Sequence, residues 1–118
     1  MNNQKIAKIG ENLACKYLIQ KNYSIIGRNV KYREGEIDII AQKAKQLVFI
    51  EVKVRTSVAW GYPEEALTVQ KKKNFLKAIN RYLLTSGYMG NYSADLIAID
   101  LIKNQAKIRH YKSIELED

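Results

Sequence analysis

The stretch LVFIEVKVR, residues Leu47–Arg55, is rich in β-branched residues and predicts a strand whose two faces differ. Alternate side chains of a strand point to opposite sides of the sheet. One face is therefore aliphatic throughout and contains Val48, Ile50, Val52 and Val54. The other face contains Leu47 and Phe49, followed by Glu51 and Lys53. One face of the strand is expected to pack in the core. The other face changes from apolar to charged side chains after Phe49.

The composition limits the number of domains and the kind of partner that the chain is expected to have. The chain has 118 residues, one proline and 47% hydrophobic residues, which predicts one compact domain over residues 1–118. Twenty Lys and Arg residues against 12 Asp and Glu residues give a formal net charge of +8. This charge favours a polyanionic partner such as nucleic acid, although ribosomal and membrane-surface proteins are also basic.

Cysteine, histidine and the first residues exclude several other classes. Cys15 is the only cysteine, which rules out an intrachain disulfide and a zinc site with several thiolates. His110 is the only histidine and is interpreted as structural. The opening MNNQKIAKIGENLACKYL mixes charges with apolar residues, so neither a signal peptide nor a membrane span is expected. The expected location is the cytoplasm, without a membrane partner.

Hydrophobic periodicity predicts the order of the elements. Apolar residues at steps of three and four predict a helix from about Asn3 to Lys21. A second helix is expected to start at Pro63, Glu64 and Glu65 and to run to about Ser86. The predicted strands are YSIIGRNVKY, EGEIDIIAQ and QLVFIEVKVR before that helix, and YSADLIAIDLI and AKIRHYKSI after it. The order α-β-β-β-α-β-β predicts an α/β (α+β) fold with a mixed five-stranded sheet flanked by helices.

The strand before Leu47–Arg55 supplies further acidic residues. In GEIDII, strict alternation places Glu36 and Asp38 on one face and Ile37 and Ile39 on the other.

A hairpin would bring these acids to the ionic end of the next strand. If the two strands form an antiparallel hairpin whose loop has an even number of residues, for example Lys43 to Gln46, Asp38 falls opposite Glu51. The Cβ atoms of opposed residues lie about 4.5–5.5 Å apart. Two carboxylates would then meet beside Lys53.

Such a carboxylate pair requires compensation, because two like charges 4 Å apart repel by about 4 kcal/mol at an effective dielectric of 20. Mg²⁺ compensates directly, since it uses one or two carboxylates and keeps water and substrate phosphate as its other ligands. The main-chain carbonyl of Val52 is a further candidate ligand, and Lys53 could orient a water or balance phosphate charge. Alternatively, these residues are solvated, and Asp38 forms an ion pair with Lys53 or Arg55.

Several motifs together carry a family resemblance: GEIDII, FIEVKVR, GENLACKYL, GYPEEAL and the lysine at position 71. In this ordered set the chain resembles the small bacterial YraN family within the PD-(D/E)XK nuclease superfamily. The resemblance implies a restriction-endonuclease-like core, kinship with archaeal Holliday junction resolvases and a metal-dependent nuclease activity. The chain departs from the superfamily motif in having no proline before Asp38.

The resemblance also implies roles for individual residues. Asp38 and Glu51 match the metal ligands, Lys53 matches the catalytic lysine, and Glu11 matches a helix glutamate that faces the metal site. Glu36 belongs to the matched motif with an open role. Glu11 also has another interpretation, as an exposed acid paired with Lys8 or Lys16. The expected nucleic-acid contacts are Lys71, Lys72 and Arg55, with a solvated helix face as the alternative for Lys71.

The expected function is a Mg²⁺- or Mn²⁺-dependent endonuclease that hydrolyses phosphodiester bonds in DNA, including branched or structured DNA. Trp60 could stack on an unpaired base, or pack against the second helix instead. The resemblance also suggests that the protein forms a homodimer, because resolvase relatives work as symmetric dimers. Two other functions stay open: a nucleic-acid-binding protein of the same fold without catalysis, and a ribosome-associated basic protein.

Overall fold

The computed structural model describes residues 2–57 and 67–117. Its elements are α1 (Asn3–Gln20), β1 (Ser24–Lys31), β2 (Glu36–Lys43), β3 (Gln46–Arg55), α2 (Val69–Ser86), β4 (Tyr92–Ile102) and β5 (Gln105–Tyr111). This order is the predicted one, and the α+β architecture is that expected of a restriction-endonuclease-like core. Within the described ranges, no helix is long and apolar enough to cross a membrane.

The five strands form one mixed sheet in the order β1-β2-β3-β4-β5. The first three strands are antiparallel neighbours, β3 pairs with β4 in parallel, and β4 pairs with β5 antiparallel. The parallel pairing follows from α2, which carries the chain back across the sheet between β3 and β4. The strand LVFIEVKVR is therefore central and paired on both sides.

A two-residue turn connects β2 to β3. Lys43 pairs with Gln46, so the turn consists of Ala44 and Lys45, both with positive φ (50° and 65°). Positive φ at both turn residues suits the right-handed twist of a hairpin. The loop given as an example, Lys43 to Gln46, is thus two residues too long, but the observed turn has the same centre and an even number of residues, as predicted. The predicted register is consequently confirmed.

The two helices cover opposite faces of the sheet, as the two faces of β3 predict. Buried side chains of α1, including Ala14 and Leu18, pack with Val48 and Ile50. Phe75, Ala78 and Ile79 of α2 pack with Ile37, Ile40, Leu47 and Phe49. Gly10 lets α1 approach β3 closely, since a Cβ at this position would collide with the Val54 side chain.

The second helix begins later than predicted. Thr68 caps it, with its hydroxyl oxygen accepting a 3.2 Å hydrogen bond from the Lys71 N–H, and Val69 is the first helical residue. Pro63, Glu64 and Glu65, where the start was expected, lie outside the described residues, as does Trp60. Gly87 ends the helix in a left-handed conformation (φ 72°), which glycine adopts without steric cost.

Strict alternation fails in β2. Ile37 packs in the cluster on the α2 side, whereas Ile39 packs in the cluster on the α1 side. The prediction that these two residues share a face is therefore wrong. Asp38 lies between them, and Asn29 on the adjacent strand has a positive φ of 52°. The backbone irregularity at this point places Asp38 and Asn29 in the same cleft on the α1 side.

Candidate functional site

Asp38 lies where β2 and β3 separate. The last backbone pair between these strands is Ile39 with Ile50, one residue before Asp38 would pair with Glu51. Instead, the main-chain N–H of Val52 donates a 2.7 Å hydrogen bond to Oδ2 of Asp38. A side-chain carboxylate thus takes the place of a backbone acceptor of the ladder. Asp38 and Glu51 therefore meet at the end of the hairpin, but not as a regular cross-strand pair.

Glu51 and Lys53 form an ion pair on β3. The Lys53 Nζ lies 3.2 Å from Oε1 of Glu51, and the two side chains are only 21% and 14% exposed. Residues two apart on a strand share a face, which explains the contact. The alternative ion pair of Asp38 with Lys53 or Arg55 does not form. Lys53 pairs with Glu51 instead, and Arg55 pairs with Asp100.

Glu11 points into the same place from α1. It lines a cleft with Asp38, Glu51 and Lys53. Its Oε1 atom is buried and has no hydrogen-bond partner among the residues that the structure describes. The alternative interpretation of Glu11 as an exposed acid is therefore wrong. A buried acceptor without a donor costs free energy, which a cation at this point would recover.

The cleft has a volume of about 620 Å³ and lies between the first half of α1 and the separated ends of β1, β2 and β3. Glu36, Val52 and Val54 also line it. The three acids come from three separate elements, Glu11 from α1, Asp38 from β2 and Glu51 from β3. Gly10 determines how closely α1 approaches β3. The predicted site residues from β2, β3 and α1 are thus brought together in one cavity.

The electrostatics of the cleft favour extra positive charge. Burial, followed by the nearby Glu51 charge, raises the pKa of Asp38 to about 8, although the hydrogen bond from Val52 acts in the opposite direction. Burial also raises the pKa of Glu51, against the lowering effect of the Lys53 ammonium. Asp38 therefore retains a proton at neutral pH unless a cation replaces it.

The residues present fit a divalent cation of the Mg²⁺ type. In residues 2–57 and 67–117, no three His, Cys, Asp or Glu side chains form a ready-made ligand cluster. Mg²⁺ does not need one, since one or two carboxylates with water and substrate oxygens complete its shell. Asp38 and Glu51 supply two carboxylates, the Val52 carbonyl is adjacent, and the unpartnered Glu11 oxygen faces the same cleft.

Lys71 joins the site from α2. Together with Lys53, Glu36 and Glu51 it lines a second, smaller cavity. The neighbouring Lys53 ammonium lowers the pKa of Lys71, and partial burial adds to this effect. The sequence leaves two roles open for Lys71, a phosphate contact or a place on a solvated helix face. In the structure, Lys71 is exposed but stands at the edge of the acidic cleft. Two crowded ammonium groups are suited to binding an anion between them.

The side chains of Lys72 and Arg55 are less exposed than that of Lys71 and so less accessible to nucleic acid. The Lys72 N–H bonds the Thr68 carbonyl, and its side chain is partly buried. Arg55 donates to both carboxylate oxygens of Asp100, at 2.8 Å from Nε and 3.1 Å from Nη2. Arg109 donates to the same carboxylate at 2.9 Å. Nucleic-acid binding by Lys72 and Arg55 stays a prediction.

Two buried acids of β4, Asp95 and Asp100, were not among the predicted site residues. Asp100 bridges Arg55 and Arg109, whose hydrogen bonds lower its pKa to about 2. Asp95 lies 2.7 Å from Nε2 of His110, whose Nδ1 lies 2.9 Å from the Tyr17 hydroxyl. An acid within an otherwise apolar strand is the only sequence signal for such pairs. Neither acid lines the cleft, so His110 has the structural setting expected for it.

Comparisons with known proteins give a consistent assignment. A model of the uncharacterised protein family UPF0102 matches residues 10–103, most of the chain. A UPF0102 protein of Alkaliphilus oremlandii is 42% identical over 115 residues, which cover 94% of this chain and 97% of that protein. One from Carboxydothermus hydrogenoformans is 37% identical over 97% of this chain and 98% of its own. Another from Clostridium botulinum is 41% identical over 93% of each.

Proposed function

The chain belongs to the UPF0102 family, which is the YraN family, and we propose that it is a Mg²⁺- or Mn²⁺-dependent endonuclease that hydrolyses phosphodiester bonds in DNA. The observation that carries the proposal is the cleft in which the half-buried side chains of Asp38 and Glu51 meet beside Lys53. The unpartnered oxygen of Glu11 faces the same cleft. Burial raises the pKa of both carboxyl groups, and the Glu51 charge raises that of Asp38 further. Carboxyl groups with raised pKa values next to a lysine in a cleft are typical of a catalytic site.

The chain's own residues have separable tasks in such a reaction. A bound divalent cation supplies charge that activates water and stabilises the negative charge on phosphorus oxygens. The Val52 N–H holds Asp38 in a fixed orientation, so its second oxygen stays directed at the cleft. Lys53 is held at 3.2 Å by Glu51 and can donate a hydrogen bond to a phosphate oxygen as negative charge develops.

Nucleic acid as the substrate is supported by charge. The net charge of +8 is carried in part by lysines at the cleft, with Lys53 and Lys71 on its α2 side. Most contacts between proteins and nucleic acids go to phosphate and sugar, for which lysine is well suited. DNA, including branched or structured DNA, is the proposed substrate class because the family resembles Holliday junction resolvases. A homodimer, as in those enzymes, belongs to the same proposal.

The test is a cleavage assay with purified protein on single-stranded, duplex, flap and four-way DNA, in Mg²⁺, Mn²⁺ or EDTA. We expect cleavage that requires the metal. Glu51→Gln and Lys53→Ala should each lower the rate at least about a hundredfold, the usual effect of removing a group that stabilises transition-state charge. The matched control is Glu115→Gln, an exposed acid of the C-terminal segment. Absence of metal-dependent cleavage on every substrate would overturn the proposal.

A second candidate function is nucleic-acid binding without turnover. It is favoured by one observation, that no three ligating side chains converge within the described residues. A binding protein of this kind would bind DNA with strong salt dependence. Its affinity would be unchanged by Glu51→Gln, and Mn²⁺ would neither bind nor promote cleavage. Titration of Mn²⁺ into the wild-type protein and Asp38→Asn therefore separates the two functions.

A further inference from the structure

The acidic cleft does not end at its carboxylates. A smaller cavity of about 210 Å³ lies between Gly35 and the first turns of α2. Glu36, Glu51 and Lys53 line both cavities. Because the two cavities have these three residues in common, they adjoin at the carboxylates, and the two together are called the groove. One end lies between α1 and the end of β1, and the other end lies at α2.

Lysines line both ends of this groove. Lys8 of α1 and Lys31, the last residue of β1, line the larger part. Lys71 of α2 lines the smaller part. All three side chains are exposed, and none forms an ion pair with an Asp or Glu in the described part of the chain. Their charges are therefore available to an anion that lies along the groove.

The wall that α1 contributes has a regular pattern. Asn3, Ala7 and Glu11 follow one another at four-residue steps, so they occupy one side of the helix and face the groove. The small Ala7 side chain leaves room between the two polar residues. On the opposite wall Asn29 stands next to Asp38. This end of the groove therefore offers amide and ammonium donors around an open channel.

The lining also indicates which part of a polynucleotide would be bound. No aromatic side chain lines the larger part of the groove among the described residues. Stacking on bases depends on aromatic rings, whereas lysine and side-chain amides bind phosphate and sugar oxygens. The groove is thus equipped to bind a backbone and not to read bases.

We infer that this groove binds the sugar-phosphate backbone of an internal segment of a polynucleotide strand, with Lys8 and Lys31 binding phosphates on one side of the carboxylates and Lys71 on the other. The identity of the polyanion rests on the proposed function. The inference adds that phosphates flanking the reacting one are held on both sides. A mononucleotide or a terminal phosphate reaches only one end of the groove. Recognition is therefore internal and independent of sequence.

The first experiment measures how binding of a fluorescent single-stranded oligonucleotide depends on salt in EDTA, where no cleavage occurs. Each lost phosphate contact on single-stranded nucleic acid reduces the slope of log K against log salt by about 0.7. The Lys8→Gln/Lys31→Gln variant should lose about 1.4 from this slope. Lys16→Gln is the matched control, because Lys16 is an exposed lysine of the same helix that does not line the groove.

The second experiment compares a closed single-stranded circle with a linear strand of the same length and sequence. Internal recognition predicts equal affinity for the two molecules, and a linear strand of unrelated sequence should bind equally well. Circular dichroism of each variant checks that a change in binding does not come from unfolding.

The outcomes separate this inference from the proposed function. A wild-type protein that binds no polynucleotide overturns both. Binding whose salt slope is unchanged in Lys8→Gln/Lys31→Gln overturns the inference and leaves the proposed function standing. A clear preference for the linear strand over the circle also overturns it, because recognition would then need an end. Metal-dependent cleavage can be absent while the slope and circle results hold, and in that case only the proposed function fails.

Discussion

The main-chain N–H of Val52 donates a 2.7 Å hydrogen bond to Oδ2 of Asp38, so the backbone of one strand orients an acid of the neighbouring strand. Asp38 keeps this bond whether its carboxyl is charged or neutral, since an acceptor oxygen is present in both forms. The bond therefore fixes the position of the carboxyl without fixing its charge. The charge of the Asp38 carboxyl depends instead on its burial, on Glu51 and on any cation in the cleft.

The first prediction concerns Asp38→Asn. The folded-state pKa of about 8 lies above the ordinary 3.8, so the folded protein binds more protons than the unfolded chain between these values. Stability consequently falls as pH rises through this window. Asp38→Asn removes that loss and should stabilise the metal-free protein at pH 8 by roughly 1 kcal/mol or more, one pKa unit being worth 1.36 kcal/mol.

Thermal unfolding in EDTA at pH 5 and pH 8 measures this effect, with Glu115→Gln as the control. In the presence of Mn²⁺ the wild-type protein should instead be more stable than Asp38→Asn, because the wild-type protein gains stability from the bound ion and the variant does not. A variant that is less stable than wild type in EDTA at pH 8 would contradict the pKa argument.

The second prediction concerns Glu11. Its buried Oε1 has no partner among the described residues, so replacing the side chain removes an unsatisfied acceptor from the metal-free protein. Glu11→Ala should therefore leave the free energy of unfolding in EDTA nearly unchanged, while Mn²⁺ affinity falls about tenfold or more, as for loss of a supporting ligand. Isothermal titration calorimetry gives the affinity. Glu34→Gln, an exposed acid outside the cleft, should bind Mn²⁺ like wild type.

The third prediction tests the close approach of α1 to β3. Gly10→Ala improves helix propensity by up to about 1 kcal/mol, yet its new Cβ would collide with the Val54 side chain. We expect a net loss of roughly 1–3 kcal/mol, the usual range for overpacking, in urea unfolding. The double variant Gly10→Ala/Val54→Ala should recover part of the loss, because the shortened side chain makes room. An additive double variant would show that the contact with Val54 is not the cause.

The fourth prediction concerns Asp100. Hydrogen bonds from Arg109 and Arg55 lower its pKa to about 2, below the ordinary 3.8. Its stabilising contribution is therefore complete above about pH 4 and is lost as pH falls towards 2. Asp100→Asn should destabilise the protein by about 2 kcal/mol at pH 7, since it replaces the charged acceptor of hydrogen bonds from two guanidinium groups with a neutral amide. The difference from wild type should shrink at pH 2.5, and urea unfolding at both pH values measures it.

Much of the fold is local in origin and could be read from the sequence. The apolar periods of α1 and α2, the left-handed glycine after α2 and the alternation in β3 depend on neighbours in the chain. The register of the β2–β3 hairpin also followed, since any even loop centred between Ala44 and Lys45 gives it. The turn itself could not be predicted, because Ala44 and Lys45 are not residues that favour positive φ.

The parts that were missed depend on contacts between distant residues. Ile37 and Ile39 lie on different faces because the backbone is irregular beside Asn29 of the adjacent strand. The burial of the Glu11 Oε1 atom depends on how closely α1 approaches β3, which helical spacing does not reveal. The bridge from Asp100 to Arg55 and Arg109 joins three strands, and two of these residues are separated by 45 positions. Alternation and periodicity contain no information of this kind.

The even count of the β2–β3 turn links the interior of the protein to its acidic cleft. If β3 slipped by one residue against β2, every side chain of β3 would exchange faces. The aliphatic row of β3 would turn towards the wrong helix, and Glu51 would leave Asp38 at the same step. Any turn that keeps Lys43 paired with Gln46 therefore preserves the core and the meeting of the two acids together.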